Sequence, residues 1–401
     1  MQYKYKAATE NGQVVEGIHD ANGEHEVLAM LKSNDYIPIS IELNKDSSSS
    51  PSVFTPRVKK KDIAVFCRQF YTMLNAGVSI VKSLDILEKQ TENKLLRKVS
   101  GIAYGDVQKG LTLSEAMKKH PNVFPSLLIN MVEAGEVSGN LDTIMERMSN
   151  HYEKENKIEN KIKVAMVYPI ALGIASIAVV IFLLVAVMPT FVGMFESSGV
   201  ELPGPTKLLL NVSDSLQNHW YIHLIVVLAM VFGLNYFRKM DSGRLFLDGL
   251  KLRIPIIKRA NTMIITSRFT RTLSTLLSSG IPLLQAMEVV AKIVDNKLVG
   301  NKLENSKEEV RKGIPLSRAI KDINIFPPMV DSMIKIGEES GSLDDILNKS
   351  ADFYDEEVET SLQKIAAMME PLLIVFMAVV VGFIVIAMAL PMFDMVNTVQ
   401  I

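Results

Sequence analysis

Phe66, Phe70, Met73 and Leu74 stand at i, i+4, i+7 and i+8, an apolar stripe along one face of a helix that Gly77 is placed to close. The segments SIVKSLDILEKQ, KLLRKVSGIAYGDVQ and TLSEAMKKH continue in helical rhythm. Thr112 and Glu115 open the last of them with the spacing of a capping box, which satisfies the first free amides of a helix. A shorter helix from Ser126 to Ala134 is predicted next, then a long charged helix that runs on into an apolar stretch. Six helices make this region an α-bundle over residues 62–165. The first 43 residues differ in kind. YKYKAAT and QVVEGI flank Asn11-Gly12, a hairpin signal, and a short helix around EHEVLAMLK with a strand YIPISIEL completes an α+β module over 1–43. KDSSSSPSVFTP marks residues 44–61 as a flexible linker.

Three apolar runs have the length that crosses a hydrocarbon core as a helix: residues 169–189, 220–237 and 371–391. Pro169, Pro189, Pro371 and Pro391 mark the boundaries of the first and third, and no charge lies between the prolines. Lys154, Lys157, Lys161 and Lys163 precede the first run, and Arg238, Lys239, Arg244, Lys251, Arg253, Lys258 and Arg259 follow the second. The loop 190–219 holds only Lys207, and the tail 392–401 holds no cation. The positive-inside rule then puts the N-terminus in the cytoplasm and the loop and tail outside, in a multi-pass membrane protein. The small face Ala171, Ala175 and Ala178 is the expected site of close helix packing in lipid.

The chain is also written twice. FCRQFYTMLNAG at Phe66 returns as FTRTLSTLLSSG at Phe269, and KGLTLSEA at Lys109 as KGIPLSRA at Lys312. Tyr152 answers Tyr354, Pro169 answers Pro371, and Pro189 answers Pro391. One additional residue beside Pro121 in the first copy places a loop there. A second bundle is therefore expected over 265–367. The middle span has no counterpart, and a parallel duplication needs it: each copy starts on one side and ends on the other, so one crossing must bring the chain back.

The most literal repeat is GEVSGNLD, residues 135–142, against GEESGSLD, residues 337–344. Gly135 and Gly337 are expected to stop a helix, and Gly139 and Gly341 to allow a tight connection. Asn140 and Ser342 are preferred N-caps; Leu141-Asp142 and Leu343-Asp344 then open the next helix with a carboxylate near its positive end. This account uses every residue except Glu136, Glu338 and the small Ser138 and Ser340, which leaves two readings: architecture alone, or a turn that also docks a partner.

Composition narrows the chemistry. In 401 residues the net charge is −1, which gives no general signal for nucleic acid. The single cysteine, Cys67, excludes a disulfide framework and reads as a buried small hydrophobe. No phosphate-cradling G-x-x-x-x-G-K-[ST] loop is present, and His25-Glu26 lacks its second histidine, that place being Ala29. His219 and His223 are spaced as a metal pair but have no third ligand nearby, so no metal or other cofactor is expected. His223 alone among ionisable groups lies inside a span, while Glu370 sits at the entrance of the third. An oligomeric transporter or channel subunit is thus the alternative from another class, and a membrane adaptor a second.

The doubled F…R…L…L…G followed by GE.SG.LD, each copy leading into a membrane helix, resembles the type II secretion system protein F family over nearly the whole chain. The resemblance implies an all-α membrane protein with two repeated cytoplasmic six-helix bundles, three transmembrane helices and the small N-terminal module. It also implies a non-enzymatic, homo-oligomeric platform in the inner membrane beneath a type IV pilus or a secretion pseudopilus. Such a platform couples a cytoplasmic assembly ATPase to insertion of pilin or pseudopilin, among other inner-membrane machine components and lipid, with no nucleic acid contacted directly.

Overall fold

The computed structural model describes residues 2–8, 14–21, 23–33, 36–43, 57–191 and 203–398. The Asn11-Gly12 turn and most of the 44–61 linker lie outside the described residues. Met1–Arg57 and Val58–Ile401 form two separate units. In the first, β1 (Gln2–Ala8) pairs antiparallel with both β2 (Val14–Asp20) and β3 (Ile37–Leu43), giving the order β2-β1-β3. Helix α1 (Glu24–Ser33) buries Val27 and Leu31 against Tyr3, Ala7 and Ala21 of this sheet unit.

In the second unit each copy has six helices. The first copy comprises α2 (Lys60–Asn75), α3 (Ile80–Gln90), α4 (Lys94–Gln108), α5 (Leu113–Lys118), α6 (Ser126–Ser138) and α7 (Leu141–Phe182). Between the copies lie α8 (Gly204–Asn218), α9 (Trp220–Lys239) and α10 (Asp241–Lys251). The second copy comprises α11 (Pro255–Ser278), α12 (Leu283–Ile293), α13 (Lys297–Arg311), α14 (Leu316–Asp322), α15 (Pro328–Ser340) and α16 (Leu343–Thr398). The predicted capping box forms, Thr112 and Glu115 exchanging bonds at the start of α5. Phe66 meets Phe124 at 5.7 Å between ring centroids, and their counterparts Phe269 and Phe326 meet at 4.7 Å. The two copies do not keep separate cores: one apolar cluster runs from Ile63 in the first to Tyr354 in the second. Burying both inner faces against each other is the economical solution for two amphipathic bundles.

Among the described residues, three helices are long and apolar enough to cross a membrane: the continuous helix Leu141–Phe191, Trp220–Lys239 and Leu343–Pro391. The outer two begin inside the bundles, so no joint separates bundle from span. The first and third spans pack together through Leu184, Met188, Ile384, Ala387 and Met388. The expected small face is not used for this: Ala171, Ala175 and Ala178 are exposed, and Leu172 and Ser176 line the groove towards Ile374 and Met377 instead. None of α9 is buried. Two stretches read as connection and tail are also helical. The 190–219 segment holds α8, and α16 continues past Pro391 to Thr398.

Candidate functional site

The repeated turn is built differently from its sequence-based expectation. Helix α6 does not stop at Gly135; it continues to Ser138, and Gly139 ends it with φ +74. The amides of Gly139 and Asn140 both return to the Gly135 carbonyl, and those of Gly341 and Ser342 to Gly337, a left-handed cap that needs glycine at its pivot. Gly135 and Gly337 are glycine for another reason. A Cβ on Gly135 would lie 2.9 Å from Ile144 Cγ1, and one on Gly337 2.9 Å from Leu343 Cα, because the next helix crosses there at contact. Asn140 is not a side-chain cap: its backbone sits at φ −110, ψ 44, and its amide side chain makes no capping bond. Ser342 shares a hydrogen bond with the Ser340 hydroxyl, while Ser138 reaches the Gly135 carbonyl at 3.4 Å. Leu141 is buried, and Asp142 and Asp344 occupy the first turns of α7 and α16.

Glu136 and Glu338 hold the short helices beside them. The Glu136 carboxylate accepts the Leu113 amide at 2.5 Å and the Ser114 amide at 3.1 Å. Glu338 accepts from Leu316 at 2.6 Å, from the Ser317 amide at 3.1 Å and from the Ser317 hydroxyl at 2.6 Å. An anion against the free amides of a helix start is favourable twice over, through hydrogen bonding and through the helix dipole. Both glutamates are therefore committed inside the fold. What the turn presents outward is Val137, 87% exposed, with Ser138 and Asn140 exposed beside it; the second copy has Glu339 where the first has Val137.

A second polar centre joins the copies. The arginine of the repeated F…R segment reaches the sixth helix in each: Arg68 donates to Asn150 at 2.8 Å and Glu153 at 3.0 Å, Arg271 to Asp352 at 2.8 Å and Asp355 at 2.6 Å. Glu155, buried on the sixth helix of the first copy, pairs with Lys60 and, at 3.4 Å, with Arg268 of the other copy. Burial alone would raise the Glu155 carboxyl, but Arg268, Lys60 and His151 together hold it below its ordinary value. His151 is pushed down to about 4 by burial, the neighbouring Arg271, Lys60 and Arg268 working in the same direction and Glu155 against it. Lys154–Asp352, Lys161–Glu359 and the Arg147 bond to Ser279 tie the copies further. A cleft of about 470 Å³ opens beside them, with Arg147, Lys154, Asp344 and Asp352 in its wall. Glu155, Arg268 and His151 were not singled out from sequence; the arginine common to both F…R segments signals only Arg68 and Arg271, and Arg268 has Val65 in its place in the first copy.

The boundary prolines form the third arrangement. Pro189 has no amide to offer four residues back, and the helix before it widens into a π-turn over Leu183–Val187. The carbonyls this frees are taken by α8: Ser213 donates to Leu184 at 2.5 Å and Gln217 to Val185 at 3.4 Å. In the third span the carbonyl four residues before Pro391 is that of Ala387, and Thr206 of α8 donates to it. Helix α8 thus clips the two equivalent proline ends together. Ser213 is buried as a result, against its expected place in an open loop. Pro169 is buried inside α7, whereas Pro371 and Glu370 are exposed in α16. His223 shares a hydrogen bond with Ser215 at 3.1 Å, and Cys67 is fully buried, its thiol pushed up by burial.

A family model described as type II secretion system protein F matches residues 66–189 and again 269–391. The model of that protein's N-terminal domain matches residues 1–42. The type IV pilus assembly protein PilC of Myxococcus xanthus is 37% identical over 402 residues, spanning 100% of this chain and 96% of the relative. The PilC of Thermus thermophilus is 36% identical, over 100% of this chain and 99% of its own. The type II secretion system protein F of Vibrio cholerae is 33% identical, over 98% of each.

Proposed function

Since the chain belongs to the type II secretion system protein F family, we propose that it is the membrane platform of a type IV pilus or type II secretion machine and couples a cytoplasmic assembly ATPase to the insertion of pilin or pseudopilin. The observation that carries this reading is mechanical. The helix Leu141–Phe191 is unbroken over 51 residues, and Leu343–Pro391 over 49. At about 1.5 Å per residue each reaches roughly 75 Å, more than twice a hydrocarbon core of ~30 Å. Both are rooted in one shared apolar core, so a displacement imposed on the bundles must appear in the spans. The lysines and arginines flanking the spans support bundles in the cytoplasm, and the ATPase, the pilin, other machine components and further copies of the chain are the proposed partners.

The test breaks the lever without removing it. A two-glycine insertion after Val164 should leave membrane level and copurification of the ATPase unchanged, and abolish pilus or pseudopilus assembly. Normal assembly by that variant would end the coupling reading. Orientation needs introduced reporters, because Cys67 is buried and would be silent on either side. In a Cys67→Ala background, Lys109→Cys should resist a membrane-impermeant thiol reagent in intact cells and Asp214→Cys, exposed on α8, should react. The opposite labelling would reverse the topology.

A further inference from the structure

Helix α10 turns a carboxylate inward while leaving large apolar side chains outward, with Asp241, Ser242 and Arg244 also exposed. Buried Asp248 accepts the Lys297 amide at 2.9 Å at the start of α13, and the Asp248 carbonyl receives the Asn296 side chain at 3.3 Å. Lys251 pairs with the same carboxylate at 2.8 Å. At roughly 100° per residue, Phe246 and Leu250 share the opposite side. They are 64% and 40% exposed. The Phe246 ring lies edge-on to Phe237 of α9, centroids 6.5 Å apart, so this outward apolar face continues the surface of the middle span. The corner is tight: a Cβ on Gly243 would fall 2.0 Å from the Phe237 carbonyl oxygen. The 20 residues of α9 cover about 30 Å, the hydrocarbon thickness, so α10 begins at headgroup level. Arg238, Lys239, Arg253 and Lys258 flank it, all exposed and none in an ion pair among the described residues.

We propose that α10 and these four cations form a binding surface for anionic phospholipid headgroups, with Phe246 and Leu250 inserted among the upper acyl chains. An amphipathic helix in the interface plane with uncompensated cations beside its apolar face is what such a surface requires. Unpaired cations select the anionic lipid over the zwitterionic one, and Asp248 transmits the attachment, since the helix gripping the lipid also caps α13 of the second bundle. The inference does not rest on the platform reading and fails or holds without it.

The chain has one tryptophan, Trp220, so Trp220→Phe with Phe246→Trp makes a single-tryptophan reporter, and Trp220→Phe with Leu250→Trp makes a second on the same face. The full chain is reconstituted in phosphatidylcholine vesicles holding a minor mole fraction of phosphatidylglycerol, with bromine on the acyl chains of one lipid or the other. Both reporters should be quenched by lipid bromine. Brominated phosphatidylglycerol should act as though enriched about fivefold over its bulk fraction, the weight of one interfacial cation. Exchanging Arg238, Lys239, Arg253 and Lys258 for glutamine should remove the enrichment and leave quenching by phosphatidylcholine. Equal quenching at bulk fractions, or an enrichment that the glutamine variant retains, would overturn headgroup recognition. Emission quenched by aqueous iodide and not by bromine would place the face in water and overturn the proposal. Protection from both quenchers would assign it to a second copy of the chain and overturn it equally.

Discussion

At the scale of single residues, the two glutamates of the repeated turn decide what the repeat is for. Glu136→Ala withdraws the acceptor from the Leu113 and Ser114 amides, and charge-assisted bonds of this kind are worth about 1.5–3 kcal/mol. We expect that loss in the melting of the full chain in detergent, partial recovery in Glu136→Gln, which keeps one acceptor oxygen, and a larger loss in Glu136→Lys. Unchanged melting of Glu136→Lys would return the glutamate to the docking reading. These residues were visible in the sequence only as the ones a cap did not need. Their partners lie 22 and 23 residues upstream, beyond any local spacing rule. His151 gives a second expectation. Its neutral form is favoured in the fold, with the pKa lowered from 6.5 to about 4, so stability is fully present above pH 6.5 and falls as pH drops towards 4. The effect reaches about 3 kcal/mol at most. A pH series of unfolding midpoints should show His151→Gln losing less over that window than the native chain; parallel curves would remove His151 from the account.

At the scale of elements, the prolines and α8 explain each other. The spans and their proline boundaries were legible because long uncharged runs have few other uses. Helix α8 was not, since a fifteen-residue amphipathic segment between two spans carries no apolar run of its own. Its pattern did hold a signal: Leu208, Leu209, Val212 and Leu216 fall at helical spacing. The physical reason it folds where it does is carbonyls that Pro189 and Pro391 deprive of amides in apolar surroundings. Ser213→Ala should therefore cost about 1–3 kcal/mol by orphaning the Leu184 carbonyl. With Pro189→Ala the ladder can close as an ordinary α-helix and the hydroxyl loses its task. The double variant should then lose clearly less than Ser213→Ala does in the native background. Additive losses in a thermal-melt double-mutant cycle would show that proline and hydroxyl are unrelated.

At the scale of the whole molecule, the duplication was legible and the pairing of its copies was not. A period says that a unit recurs; it does not say which faces of the two units meet. The meeting is made by α7 and α16 side by side, by a common apolar core and by Glu155, which sits with Arg268 and Lys60 where the copies touch. The peripheral pairs there are half exposed: Lys154 and Asp352 are 46% and 53% accessible, and such pairs are worth about 0–1 kcal/mol. Glu155 and Arg268 are 9% and 12% accessible, and removing one partner of a pair that deep costs about 3–5 kcal/mol. Lys154→Ala should hence leave unfolding cooperative and nearly unshifted. Glu155→Ala should lower the midpoint and open the junction first, raising hydrogen exchange in the charged half of α7 and the facing part of α11 before the outer helices respond. On the coupling proposal the same variant should insert normally in cells yet assemble poorly, because two loosened bundles would no longer move the spans as one. Exchange that rises evenly across both bundles would mean that the apolar core alone joins the copies. Full assembly with the junction opened would mean that the spans do not need it.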